Sequence, residues 1–261
     1  MELNIGDYVT RKSYNNDIIF IIIDIKDNIC YLKGFSVRLI ADSDISDLMK
    51  CDIKKDIEEE NEFIERMKEE KILNREDYFY LPGKILHIDG DYDYLNKCLN
   101  YYKNANIMAM GICEEEDQIY IKIRSLLEEY NPSILVITGH DAYYKKKGNI
   151  DDINAYKNSS NFVKAIKEAR KFEKSHEKLI IIAGACQSDY EDLIRAGANF
   201  ASSPKRINIH ALDPAIIASC MSLSDINKDI DLKDIISKTK YGKEGMGGII
   251  TKGTMYKGYP R

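Results

Sequence analysis

The chain has 261 residues, 44% hydrophobic and 31% charged, with a formal net charge of −5. At ~100–200 residues per domain, that is one large domain or one domain with a small companion, and it holds enough apolar side chains for a packed core. The acidic balance argues against a nucleic-acid binder, and no apolar run approaches the ~20 residues of a membrane span.

The opening MELNIGDYVTRK lacks the basic and apolar regions of a signal peptide. Six cysteines (Cys30, Cys51, Cys98, Cys113, Cys186, Cys220) are scattered with no CxxC, a usage that speaks against a disulfide framework or a zinc site. The expected setting is a reducing cytoplasm with mostly buried thiols.

Residues 1–50 read as a small SH3-like β-barrel. Gly6-Asp7 and Asp27-Asn28 mark turns, the run Ile18–Ile25 is dense in β-branched residues, and Ile29–Leu32 pairs back before a break at Gly34. Such a module either docks substrate or caps the fold. Residues 51–82 form a helical linker, with Ile57, Phe63, Ile64 and Met67 along one edge of a charged helix. Pro82-Gly83 punctuates the chain.

From residue 83 to 261 the rhythm is that of a three-layer α/β/α domain with a mainly parallel sheet. Strands are expected at 85–88, 106–113, 133–138, 179–183 and 198–202. Helices are expected at 92–102, 114–130, 161–172 and 189–195. Short, wholly apolar strands alternating with amphipathic helices require helices on both sheet faces. Asp213-Pro214 opens a further helix through Cys220, with Asp213 as cap and proline at N1. Residues 224–240 read as polar and helical, and the glycine-rich tail as a β-hairpin near the site, favoured by Ile249-Ile250-Thr251, or as a floppy end.

Two strand ends carry chemistry. SILVITGH places His140 after an apolar strand, and KLIIIAGACQ places Cys186 after the next. A right-handed crossover lays these strands side by side, roughly 5 Å apart, with their C-terminal ends at the ligand-binding edge of the sheet. A thiol with a free pKa of ~8.5 needs a base, and an imidazole serves. Gly184 and Ala185 keep the turn small, a helix starting near Gln187 adds its positive end, and backbone N–H groups after His140 and at Cys186 are candidate oxyanion donors. No metal or organic cofactor is required, and no calcium loop is evident.

The Gly-His and Ala-Cys strand ends resemble those of the caspase, gingipain, clostripain and legumain group of cysteine peptidases, and His140 lies 46 residues before Cys186, near the ~50 known for caspases. TGHDAY, KNSSNFVKAIKEAR and IIAGACQSDYEDLIRAGANFASSPKRINIHALDP, with IGDYVTRKSYNNDIIFIIIDI and LPGKILHIDGD, resemble more closely the YabG family of sporulation-specific peptidases, over nearly the whole chain. That resemblance implies a caspase-like endopeptidase of the sporulating mother cell, cytoplasmic or coat-associated. It implies cleavage after Arg or Lys in spore coat and morphogenetic proteins, with His140 as general base and Cys186 as nucleophile. The wider group usually has glycine after the histidine; here it is Asp141.

Cleavage after a cation requires a carboxylate. Asp141, Asp189 and Asp213 are candidates, each with a capping or turn role as the plainer alternative. The expected substrate-binding residues are Gly139, Asp141, Gly184, Ala185, Gln187, Ser202, Ser203 and Asp213. Lys205-Arg206 is a candidate self-cleavage site, or part of a polar surface loop. His87 reads as packed, His176 as exposed, and His210 has no partner motif. The alternative function is a receiver-like regulatory or binding protein, using Asp89 and Asp91 after the first strand. No membrane insertion and no nucleic-acid partner are expected, and the oligomeric state, a homodimer included, is open.

Overall fold

A computed structural model describes residues 3–69 and 77–260. Two compact units lie within residues 1–70 and 71–261.

The first unit holds β1 (Tyr8–Arg11), β2 (Phe20–Lys26), β3 (Ile29–Gly34), β4 (Ile40–Asp44) and β5 (Leu48–Lys50). All pair antiparallel, in the order β4-β3-β2-β1-β5. Where a small barrel is expected from sequence, the structure has this five-stranded antiparallel sheet. Alternate residues Phe20, Ile22, Cys30 and Leu32 point inward with Val9 and Leu48 to form its core. The β2–β3 turn falls at Asp27, whose φ of 53° is the left-handed conformation that Asp tolerates. Helix α1 (Lys54–Glu69) follows. Its Phe63 is buried while Ile57 is exposed. Residues 70–76 of the expected linker, and the Met67 side chain, lie outside the described residues.

The second unit opens with β6 (Phe79–Leu81), β7 (Ile85–Asp89), α2 (Tyr92–Asn104), β8 (Ala109–Cys113), α3 (Ile119–Tyr130) and β9 (Ile134–Thr138). It continues through α4 (Ser159–Phe172), β10 (Ile180–Ala183), α5 (Tyr190–Ala196), β11 (Phe200–Ser202) and α6 (Asp213–Ser222). It closes with α7 (Leu232–Ser237), α8 (Gly242–Gly245), β12 (Met246–Gly248) and β13 (Tyr256–Gly258). Six strands form a mixed, mostly parallel sheet in the order β12-β11-β10-β9-β7-β8, with β12 the antiparallel edge.

This is an α/β architecture, and its strands are apolar because both faces are covered. On one face Leu86, Ile88, Leu135, Ile137, Ile181 and Ala183 pack against Ile119, Ile123 and Leu127 of α3, Phe162 and Ile166 of α4, and Leu193 of α5. Each of these Leu, Ile and Phe side chains contributes ~1.5–3 kcal/mol on burial. On the other face, α6 lies against β9 and β10, and His87 of β7 meets Tyr102 of α2.

Three expectations need correction. Helix α5 begins at Tyr190 rather than near Gln187, because Asp189 caps it by accepting from Asp192 N–H. Only residues 232–237 of the polar stretch 224–240 are α-helical, started by the Asp231 cap. The tail is not a hairpin: β12 joins β11, β13 joins β6, and Ile249–Thr251 lies outside both. Glycine makes the first pairing possible, since a Cβ on Gly248 would sit 2.6 Å from the Asn199 carbonyl oxygen.

Candidate active site

Strands β9 and β10 are parallel neighbours, and their last paired residues are Ile137 and Ala183. His140 and Cys186 each lie three residues beyond that pair, at the C-terminal edge of the sheet.

The histidine loop is held by Glu116, whose Oε1 accepts from the His140 backbone N–H at 2.7 Å. Gly139 permits this approach, because a Cβ there would stand 2.4 Å from the same oxygen. Asn158 Nδ2 donates to the His140 carbonyl at 2.8 Å. The His140 ring, with its side chain 14% exposed, meets the Tyr94 ring edge-on at 5.7 Å. Its Nε2 stands 3.1 Å from Asp91 Oδ2, and its Nδ1 is buried with no hydrogen-bond partner among the described residues.

The cysteine turn is equally tied. Gly184 has φ +109°, and a Cβ there would lie 2.3 Å from Ser202 Oγ, so the turn needs glycine for both conformation and space. Its N–H donates to the Ile137 carbonyl, extending the strand pairing by one bond. Ala185 is fully buried. Its N–H donates to Ser188 Oγ, and its carbonyl accepts from Ser202 Oγ (2.7 Å) and Ser203 Oγ (3.2 Å). Cys186 is buried. The Ile209 N–H points at its sulfur, 3.4 Å away, and the Ile209 carbonyl oxygen is 3.8 Å from it. The nucleophile candidate is therefore covered by the segment that follows β11.

Gln187, at φ 58°, spans both loops: its Oε1 accepts from Tyr143 N–H, and its Nε2 donates to Asn208 Oδ1. Ser202 and Ser203 are fully buried and knit the turn rather than opening to a groove. The Gln187 N–H is used by Ser203 Oγ and the Ile207 carbonyl. The His140 N–H is used by Glu116, so neither is free for an oxyanion.

Of the expected specificity carboxylates, Asp141 turns inward. It accepts from Ala142 and Asn158 N–H groups and from the Ser159 and Ser188 hydroxyls. Burial pushes its carboxyl group up, while these bonds oppose that shift. Four donors and 3% exposure leave no room for a substrate cation in this conformation. Asp213, fully buried, sits in the first turn of α6 rather than capping it, because Leu212 occupies the cap position. Its two oxygens accept from His210 and Lys240 N–H groups.

Asp189 pairs through Oδ1 with Arg206 Nη2 at 3.2 Å, while its Oδ2 is buried without a partner among the described residues. Burial raises the Asp189 carboxyl as well. Arg206 also reaches Glu191 and the Tyr156 hydroxyl. Its side chain is largely buried, while Lys205 beside it is exposed, so the segment is only in part a surface loop.

His87 is packed, as its apolar strand suggests. Thr138 Oγ1 donates to Asp89 Oδ2, so it accepts from His87 Nε2–H, and Tyr102 donates to His87 Nδ1. Asp89 is fully buried, unlike the open phospho-acceptor of the receiver alternative. His176 is partly buried against Arg170 and Asn199 rather than exposed. Sequence reasoning missed Glu116 in its acidic run and gave Asp91 no part beside the histidine; only the cap position of Asp91 before α2 was a usable local signal. No group of His, Cys, Asp or Glu able to hold a metal is present among the described residues. No helix there is long and apolar enough to cross a membrane.

A family model described as YabG peptidase U57 matches residues 4–260. The sporulation-specific protease YabG of Bacillus subtilis (strain 168) is 46% identical over 288 aligned residues, covering 100% of this chain and 99% of the relative. With the match running through both compact units and both loops of the site, the chain belongs to the YabG peptidase family.

Proposed function

We propose that this chain is a sporulation-associated cysteine endopeptidase with a His140–Cys186 dyad and a caspase-like domain. The observation that carries the reading is the matched position of the two residues, each three past the last β9–β10 pair, on adjacent parallel strands. Ligands gather at that edge of an open α/β sheet. His140 takes the thiol proton, Cys186 sulfur attacks the scissile carbonyl carbon, and the amine leaves with the proton from His140. Water then cleaves the thioester, with His140 as base again. The Asp141 N–H, in the position where the wider group has glycine, is the backbone donor next to the base and serves the oxyanion. Exposure of the thiol requires the Ile209 backbone to move away.

Substrates in this reading are spore coat and morphogenetic proteins cut after Arg or Lys in the mother-cell cytoplasm. Asp189 is the one of the three candidates with an unused acceptor oxygen; at 2% exposure and paired with Arg206, it meets a substrate cation only if Arg206 and the residues covering it move aside. In this reading Gly139, Gly184, Ala185 and Gln187 form the two loops that would border bound substrate once the thiol is uncovered.

The test is digestion of a spore-coat extract by wild type, Cys186→Ala and His140→Ala. Wild type should cut and both folded variants should not, and the new termini should follow Arg or Lys. Full cleavage by Cys186→Ala would sink the reading.

A further inference from the structure

We infer that Asp91 is a positioning residue for His140, selecting its tautomer so that Nδ1 faces the thiol; this rests on the dyad reading above. The contact is specific. Asp91 Oδ2 lies 3.1 Å from His140 Nε2, with both side chains largely buried. An ionised carboxylate only accepts hydrogen bonds, so the shared proton sits on Nε2. In the neutral imidazole the lone pair is then on Nδ1, and that nitrogen is buried with no partner among the described residues. The ring is thus left with its basic atom unused and its other atom anchored, the arrangement that a base beside a nucleophile requires.

Asp91 is itself immobilised from two sides. Its Oδ1 caps α2, accepting from the Asp93 N–H at 2.9 Å and the Tyr94 N–H at 3.1 Å, which directs Oδ2 toward the histidine. Its backbone N–H donates to Asp89 Oδ1 at 2.9 Å, and Asp89 Oδ2 is fixed by Thr138. The orienting carboxylate therefore comes from the end of β7, the strand on the far side of β9 from the cysteine strand β10. Three adjacent strand ends supply orienter, base and nucleophile in spatial order.

Helix capping is the competing explanation for Asp91, and the variants separate the two roles. Ser and Asn cap about as well as Asp, but Ser is too short to reach His140, and an Asn whose oxygen stays on the cap turns its Nδ2 donor toward His140 in place of Oδ2. The experiment compares wild type, Asp91→Ser and Asp91→Asn in cleavage of a recombinant coat protein, alongside Cys186→Ala. Thermal melts and ¹⁵N NMR of the histidine tautomers at pH 8 accompany it.

For Asp91→Ser, kcat should fall roughly 10- to 100-fold, part of the 10²–10⁴ that a positioned acid–base group supplies. KM and the melting temperature should hold, and Asp91→Asn, whose amide donates to Nε2 and so favours the Nδ1–H tautomer, should lose at least as much kcat. The NMR should show His140 as the Nε2–H tautomer in wild type and a mixture in Asp91→Ser. Wild-type kcat in Asp91→Ser with Cys186→Ala inactive overturns the Asp91 role alone. An Nδ1–H tautomer in wild type overturns it whatever the turnover. Activity in Cys186→Ala strikes instead at the dyad, and the tautomer measurement still decides the Asp91–His140 relationship.

Discussion

Ser188 Oγ donates to Asp141 Oδ2 at 2.9 Å, joining the residue after His140 to the turn that carries Cys186. The same hydroxyl accepts from the Ala185 N–H at 2.9 Å. One small side chain therefore sets the spacing of two loops that leave different strands. Ser188→Ala leaves both the Ala185 N–H and one carboxylate site without a partner in a buried place, at a cost of about 1–3 kcal/mol. Chemical denaturation should show that loss. Turnover should fall further than the folded fraction explains, because the loops lose their register.

Gly184→Ala is expected to be worse tolerated than its size suggests. The methyl would meet Ser202 Oγ at 2.3 Å and Leu193 Cδ1 at 2.8 Å, from a backbone at φ +109°. Backbone strain of this kind costs about 1–3 kcal/mol before any clash. A melting curve and a turnover assay should both register it. A variant with wild-type stability and activity would show that the turn has another conformation open to it.

Arg170 is a structural staple away from the chemistry. It donates to the carbonyl oxygens of Gly197, Glu173, Ser175 and Leu179 and to Asn199 Oδ1, linking the end of α4 to the approaches of β10 and β11. Burial lowers its pKa to about 10. Arg170→Ala should destabilise by about 3 kcal/mol or more, since several buried acceptors lose their donor at once. Urea midpoints would check this, and kcat per folded molecule should stay near wild type.

The apolar core strands were legible in the sequence for a plain reason: a strand buried on both faces has no polar alternation, so ILVIT and IIIA stand out. His140 and Cys186 were legible because each ends such a run. Contacts between distant loops were not. Nothing local to Ser188 announces Asp141, 47 positions away, and Glu116 hides in an acidic run whose other members carry no such contact with the histidine loop. The tail misled because strands made of Met246, Gly247 and Gly248 have none of the β-branched pattern that marks a strand, and their partners are far off in the chain. The carboxylates expected to meet substrate, Asp141 and Asp213, were read from position alone, and position does not reveal how many donors surround an oxygen.

His176 should make the fold acid-sensitive. Burial first, and the Arg170 charge second, lower its pKa from 6.5. A histidine with a depressed native pKa is more readily protonated in the unfolded chain, so stability falls as pH drops below the unfolded value. Wild type should lose melting temperature between pH 7.5 and pH 5.5, and His176→Gln should lose less over the same interval. Equal slopes would remove His176 as a source of the sensitivity.

The Ile209 peptide over Cys186 sulfur has a kinetic meaning. While it stays in place, no electrophile can reach the sulfur, whether a peptide carbonyl or a small oxidant. Every reaction of this thiol is then the product of two quantities: the fraction of molecules in which residues 203–210 have swung clear, and the intrinsic rate of the open form. Those quantities answer to different residues. Ser203, which holds that segment to the turn through Ile207, Ala185 and Gln187, bears on the first, while in the proposed dyad the imidazole bears on the second. The cover over the thiol is thus a latch that can be tuned without touching the imidazole.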